Sequence, residues 1–333
     1  MGLTGLGAGS YDSGRVRHVF IVDPLPELLP GQDSSIAFMR EATRRGHEVW
    51  TGQIDGLGVG EGGRAFAWLQ QTEVSDDEAW YRADAAGRGW LHEFDVVWMR
   101  KDPPYDLPYF YATHLLSLVS GPTLVVNDPA GLRNLDEKLF ATRYPDLVPE
   151  TLVSSRLEEL RSFRDKLGGE MVLKPLGGRG GEGIFHLTPG DRNFNTILET
   201  ATQFGTRPQI AQRYLPEVRY GDKRILLLEG RPIGAVLRIP QHGEFRANFH
   251  VGGAPAKAEI TERDREISAR LEPGLRAHGI LFAGIDVIGD FLTEVNVTSP
   301  TGVEEINALD ETRLEEQVLD AVETRVAERR GSA

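Results

Sequence analysis

Gly284-Ile285-Asp286-Val287-Ile288-Gly289-Asp290-Phe291-Leu292-Thr293-Glu294-Val295-Asn296-Val297-Thr298-Ser299-Pro300 is a β-branched, apolar stretch interrupted by Gly-Asp and by three buried-looking oxygen donors. It reads as a hairpin. Glu294 and Asn296 lie two apart, so a strand points both to one face, roughly 7 Å apart. A three-residue loop, Gly289-Asp290-Phe291, would pair Asp286 with Glu294 and bring it to that face. Two carboxylates and an amide oxygen together suit a hard cation such as Mg²⁺ shared with phosphates. The competing reading is a solvated polar face on an edge hairpin.

A second unusual segment lies upstream. Met171-Val172-Leu173-Lys174-Pro175 reads as a strand, Ile184-Phe185-His186-Leu187 as another, with five glycines (Gly177, Gly178, Gly180, Gly181 and Gly183) in the loop between them. Glycines let backbone N–H groups approach phosphate oxygens with no Cβ in the way. Residues 178–183 satisfy G-x-G-x-x-G, but a strand follows where the dinucleotide fingerprint needs a helix. A Gly-rich flap with a lysine in the preceding strand instead resembles the covers that kinase-like sites place over ATP phosphates. Lys174, alone in an apolar strand, needs an anionic partner. Lys138 falls on an expected helix containing Asn134 to Phe140. Gln209 to Leu215 reads as a strand leading out of the flap region. In such an arrangement its backbone can pair with an adenine edge, though nothing in the residue types demands it.

Arginines mark a third hairpin. Arg224 opens one strand and Arg238 ends its partner, and a short turn at 229–232 puts both at the same end. Paired guanidinium groups suit carboxylate or phosphate oxygens. Beyond them, 239–253 has Gly-bounded polar character with Arg246 inside, as a closing loop would. Arginines framing a solvated hairpin is the rival reading, strongest for Arg246.

Outward from these segments, strands at 16–22, 47–51, 94–100 and 123–127 alternate with helices at about 33–45 and 109–119. That pattern implies a mostly parallel α/β domain over 16–128. Asp55 to Gly63 reads as a loop and residues 1–15 as a disordered tail. After 129 the pattern becomes α+β, with a lid subdomain at about 150–212 and a C-terminal subdomain at about 213–330. Further helices are expected near 155–167, 261–278 and 312–329.

The chain has 333 residues, 40% hydrophobic and 26% charged, as in ordinary globular proteins. A net charge of −13 argues against nucleic acid or an anionic membrane as partner. No cysteine is present, which removes disulfides, thiolate nucleophiles and thiolate metal sites. No apolar run is long enough to span a bilayer, and cytoplasmic is the default location.

These residues resemble bacterial-type glutathione synthetases of the ATP-grasp superfamily. The resemblance rests on Asp23-Pro24, Met99-Arg100-Lys101-Asp102-Pro103-Pro104, Glu137-Lys138-Leu139-Phe140, Leu173-Lys174-Pro175-Leu176, Gly221-Asp222-Lys223-Arg224, Arg238-Ile239-Pro240-Gln241 and Asn296-Val297-Thr298-Ser299-Pro300-Thr301, in the family's order. It implies an ATP-grasp fold: a mostly parallel N-terminal α/β domain, a Gly-rich-flap lid and a C-terminal α+β subdomain. It further implies ATP-driven joining of γ-glutamylcysteine to glycine through an acyl phosphate, with Mg²⁺ or alternatively Mn²⁺, in a homo-oligomeric dimer or tetramer. Position by position, Lys138, Lys174 and the flap glycines would contact ATP, with Gln212 and Leu215 beside the base. Asp286, Glu294 and Asn296 would hold the metal. Arg224 and Arg238 would take substrate carboxylates and developing phosphoryl charge, and Arg246 would reach in from the lid. Arg100, Asn296, Ser299 and Thr301 would line the substrate side.

Departures from the family pattern are Glu182 within the flap, the run 248–254, Gly302-Val303-Glu304 and the N-terminal extension. Another ATP-grasp carboxylate–amine ligase is the nearest alternative. A nicotinamide oxidoreductase, suggested by G-x-G-x-x-G, fails on the strand after the loop. A nucleotide-binding regulator that has lost catalysis is disfavoured by the retained lysines and oxygen donors.

Overall fold

The computed structural model describes residues 14–332 apart from Glu78, Arg179, Phe245, His250 and Val251. Most of the expected N-terminal tail thus lies outside the described residues. Arg15, assigned to that tail, instead pairs with Glu48 at 3.3 Å.

Three sheets organise the chain. The first has parallel strands in the order Glu48–Gly52, Arg17–Ile21, Val96–Met99 and Leu124–Val126. Fully buried Val19, Phe20, Ile21, Val97 and Trp98 explain why these strands read as continuous apolar runs. The helix Ser34–Arg44 starts where Asp33 accepts from the Ser35 amide at 2.7 Å. An antiparallel extension, Leu57–Val59, Ala65–Val74, Tyr81–Ala83 and Gly87–Trp90, completes the sheet. The expected loop at 55–63 is therefore partly strand. Gly58 permits it, since a Cβ there would lie 2.5 Å from the Phe66 ring. The strand Ala65–Val74 was missed although Ala65, Ala67 and Leu69 alternate inward.

The second sheet is antiparallel, ordered Phe185–Leu187, Met171–Pro175, Gln209–Gln212, Thr151–Ser154. It has its own small core: Met171, Leu173, Leu187 and Ala211 pack with Leu160, Phe194 and Leu198, which come from the helices Leu157–Lys166 and Phe194–Ala201. Period-two alternation then turns Val172 and Lys174 to the opposite face.

The third sheet, also antiparallel, runs Ala254–Lys257, Arg231–Ile239, Asp222–Leu228, Phe282–Ile288, Phe291–Asn296. Ile225, Leu227, Ile285 and Val287 join the main core together with Ile267, Leu271 and Leu275 of the helix Glu262–Ala277. That helix begins in a capping box between Thr261 and Asp264. The helix Leu314–Ser332 closes the C-terminus; a further helix, Val303–Asp310, was not foreseen in the sequence.

Two local expectations are corrected. Lys138 is not helical. The helix ends at Asn134, and the Asp136 carboxylate accepts from the Lys138 and Leu139 amides at 3.0 and 2.8 Å, a local turn that competes with helix. The hairpin carrying Asp286 and Glu294 turns on Gly289-Asp290 alone, with a bulge at Thr293 in place of a three-residue loop.

Candidate active site

The cleft lies where the second sheet faces the third. Its walls include Lys138, Lys174, Gln212, Leu215, Arg224, Arg238, Arg246, Asp286, Glu294 and Asn296, together with Gly178, Gly180, Gly181, Ser299 and Thr301. Segments more than a hundred residues apart in sequence meet there. Gly177 and Gly183 belong to the same flap but are not on the wall. Neither is Arg100.

Register builds the charged floor. On neighbouring strands Arg224 stands opposite Asp286 and Arg238 opposite Asp222, while Asp286 stands opposite Glu294 on the far side. Arg224 grips Asp286 with two bonds, Nε to Oδ1 at 2.5 Å and Nη2 to Oδ2 at 2.9 Å. Arg238 reaches Asp222 at 2.6 Å and Asp286 at 3.0 Å. Asn296 donates to the same carboxylate at 3.3 Å. Burial opposes ionisation of Asp286, but the two guanidinium groups overcome it and hold the carboxyl well below the usual range. Asp222 was not singled out in the sequence. Burial pushes its carboxyl up to about 6, with Arg238 opposing. Its signal was available, because Asp222 sits two residues before Arg224 and shares its face.

The lysines tie the flap to this floor. Lys138 Nζ donates to the Gly178 carbonyl at 2.9 Å and pairs with Glu294 at 3.1 Å. Burial disfavours its charge, yet Glu294 reverses the effect and raises its pKa. Lys174 points into the cleft, where burial lowers its pKa against the pull of Glu294. Above them, Arg246 Nη1 donates to the Gly181 carbonyl at 3.1 Å and pairs with Glu244 at 2.6 Å. Arg246 therefore touches the flap. Glu182, the unusual flap carboxylate, is exposed.

Behind the floor, Glu137 accepts from the Val297 and Thr298 amides at 3.1 and 3.2 Å and from the Thr298 hydroxyl at 2.8 Å. It fixes the Asn-Val-Thr-Ser-Pro loop and was not foreseen as a site residue. Arg100 is buried, donates to Ser35 Oγ and the Pro300 carbonyl at 3.1 Å each, and lies over the Phe38 and Phe282 rings. Its contacts support the loop from behind. Ser299 donates to the Arg100 carbonyl at 3.1 Å.

Among the described residues no group of three or more carboxylates and imidazoles forms a metal site. Asp286, Glu294 and Asn296 instead offer a candidate donor set of two carboxylates plus an amide oxygen. Its chemistry fits a hard divalent cation: each carboxylate is now balanced by side-chain cations, the charge a metal would supply.

Comparison with known proteins agrees with the geometry. Residues 16–133 match the family model "Prokaryotic glutathione synthetase, N-terminal domain" and 137–311 match "Prokaryotic glutathione synthetase, ATP-grasp domain". The chain is 48% identical over 319 residues to the glutathione synthetase of Synechococcus elongatus, covering 92% of this chain and 98% of that one. It is 49% identical over 309 residues to that of Gloeobacter violaceus, covering 91% and 95%. Among solved structures, D-cycloserine synthetase DcsG superposes with TM-score 0.60 at 16% identity, covering 93% of this chain and 99% of that one. The macrocyclase MdnC from Microcystis aeruginosa superposes with TM-score 0.61 at 14% identity, covering 92% and 99%. The family model over 137–311 and these two likenesses together bear out the ATP-grasp fold. On its sequence and architecture together, this chain belongs to the prokaryotic glutathione synthetase family, ADP-forming ligases that use ATP and a divalent metal to make a C–N bond.

Proposed function

We propose that the cleft carries out the family reaction with the following division of labour. γ-Glutamylcysteine and glycine are joined to glutathione as ATP gives ADP and phosphate. The cysteinyl carboxylate attacks the γ-phosphorus, the bond to ADP breaks, and an acyl phosphate forms. The free amine of glycine then attacks the acyl carbon, a C–N bond forms, and phosphate leaves. Neither step needs an enzyme nucleophile; both need positioning and charge neutralisation.

The observation that carries this reading is the convergence of Lys138 and Lys174 with Asp286, Glu294 and Asn296 beneath the glycine flap. Lys138 and Lys174 hold the ATP phosphates, and the flap carbonyl contact of Lys138 couples phosphate binding to flap position. Arg224 and Arg238 take substrate carboxylate and phosphoryl oxygens, and their planar forks suit both. Arg246, bonded to the flap, closes the 239–253 segment and excludes water that would hydrolyse the acyl phosphate. Gln212 and Leu215 flank the nucleotide base, and Ser299 and Thr301 the acceptor side. Asp286, Glu294 and Asn296 would hold Mg²⁺, or Mn²⁺ in its place, which when bound would supply positive charge to the phosphate oxygens. A cytoplasmic location and a homo-oligomer belong to the same reading, the latter checked by sedimentation.

The deciding experiment is ADP release with ATP, Mg²⁺ and γ-glutamylcysteine, with and without glycine. Strong glycine-dependent turnover with a tripeptide product is expected. A folded, ATP-binding protein silent under these conditions would discard this donor and acceptor.

A further inference from the structure

Six carboxylates line the cleft: Asp102, Glu137, Glu182, Asp222, Asp286 and Glu294. Four are already committed. Glu137 accepts backbone amides, Asp222 and Asp286 face arginines, and Glu294 faces Lys138. Glu182 is exposed on the flap. Asp102 is different: half-buried in the wall, it forms no ion pair among the described residues.

Its position is nevertheless fixed. The Asp102 amide donates to Asp23 Oδ2 at 2.9 Å, and its carbonyl accepts from Lys101 Nζ at 2.8 Å. Lys101 itself is taken by Asp23, at 2.8 Å. The carboxyl lies beside the Ser299 hydroxyl, and the other charged groups facing it are Arg100, Asp33 and Asp23. Burial raises its pKa. A half-buried carboxylate anchored through its backbone in a cleft, faced by Arg100 but in no ion pair among the described residues, is suited to a cation brought by the ligand. It also lies just beyond the C-terminal end of the parallel strand Val96–Met99, where open α/β sheets receive ligands.

We infer that Asp102 is the subsite for a substrate ammonium group, the free α-ammonium at the γ-glutamyl end of the donor peptide. This rests on the donor assigned under Proposed function. The γ-linkage leaves that ammonium free and far from the reacting cysteinyl carboxylate. Glycine carries the only other ammonium among the substrates, but its nitrogen must attack as the free amine. A carboxylate gripping it would hold it protonated, which favours the donor as the occupant. The donor's α-carboxylate shares a carbon with that ammonium, while its cysteinyl carboxylate lies at the far end of the peptide, where Arg224 and Arg238 of the same cleft suit it.

The test compares γ-glutamylcysteine with glutarylcysteine, the same donor without the α-amino group, in the native enzyme and in Asp102→Asn. The native enzyme should prefer the amine-bearing donor by about 10- to 100-fold in kcat/KM, the worth of one charge-assisted contact. Asp102→Asn should lose most of that preference, with a raised KM for γ-glutamylcysteine and unchanged KM for ATP and glycine. A variant that keeps the preference, or one in which the glycine KM rises instead, would overturn the assignment. So would a native enzyme indifferent to the amino group, a result that needs no variant. A native enzyme that ignores γ-glutamylcysteine altogether defeats the donor assignment itself, a separately visible outcome.

Discussion

Asp286 and Glu294 face each other across their hairpin because Thr293 bulges out of the ladder between them. The turn itself pairs Ile288 with Phe291 and Val287 with Leu292. A straight continuation would set Asp286 against Thr293 and send Glu294 to the core face. The bulge shifts the count by one, and Thr293 is held by its hydroxyl bond to the Asp286 carbonyl at 3.1 Å. Glu294→Ala should therefore lower turnover by about a thousandfold or more while keeping the fold, with a modest drop in melting temperature because buried Lys138 loses its ion-pair partner. Steady-state ADP release and a thermal melt check both; full activity would remove Glu294 from the site.

Lys138 is the link between flap and floor. Lys138→Ala should raise the KM for ATP by at least about tenfold, from the loss of a buried charge-assisted contact. It should also expose the Gly-rich loop to protease, because the Gly178 carbonyl and Glu294 lose their common partner. A variant with native ATP affinity would mean that the lysine serves the flap alone.

Divalent metal should be required throughout. Chelation should abolish turnover, and Mg²⁺ should restore it with a lower apparent affinity in Asp286→Asn than in the native protein. Because Asp286 also neutralises Arg224 and Arg238, that variant should lose stability as well, which differential scanning calorimetry would show. Metal-independent turnover would contradict the donor set.

Acid sensitivity should arise far from the cleft, at His18. Its ring is fully buried, accepts from Trp98 Nε1 at 3.1 Å, and leaves its Nε2 without a partner among the described residues. Burial first, then His47 and Arg45, push its pKa down to about 3 from 6.5. The unfolded chain therefore takes up this proton first. The contribution is intact above pH 6.5 and is lost as pH falls toward 3, by about 2 kcal/mol between pH 7 and 5. Melts across that range should steepen in the native protein and flatten in His18→Gln.

Gly131 couples the two family-matched segments. A Cβ there would lie 2.0 Å from the His278 carbonyl oxygen at the end of the helix Glu262–Ala277. Gly131→Ala should cost about 1–3 kcal/mol through overpacking, read as a lowered midpoint in urea with the slope unchanged.

Much of this protein was legible as local chemistry. Lys174 in an apolar strand, glycines in a flap loop, and Glu294-x-Asn296 announce themselves because strand period two and glycine's lack of a Cβ operate within a few residues. Asp55 to Gly63 and Lys138 were misjudged for a related reason. Glycine content suppressed a strand that cross-strand pairing with Ala65–Val74 restores, and Asp136 broke a helix that propensity allowed.

By itself, then, the sequence determined the alternating N-terminal strands, the glycine-rich loop between two strands, and the family. Only the tertiary structure decided which charges meet: Arg224 on Asp286, Lys138 on Glu294, Glu137 on the Thr298 amide and Arg100 behind Pro300. Such pairings depend on ladder register and on contacts between segments up to two hundred residues apart. No local periodicity encodes them, because they are settled only when separate faces are buried against one another.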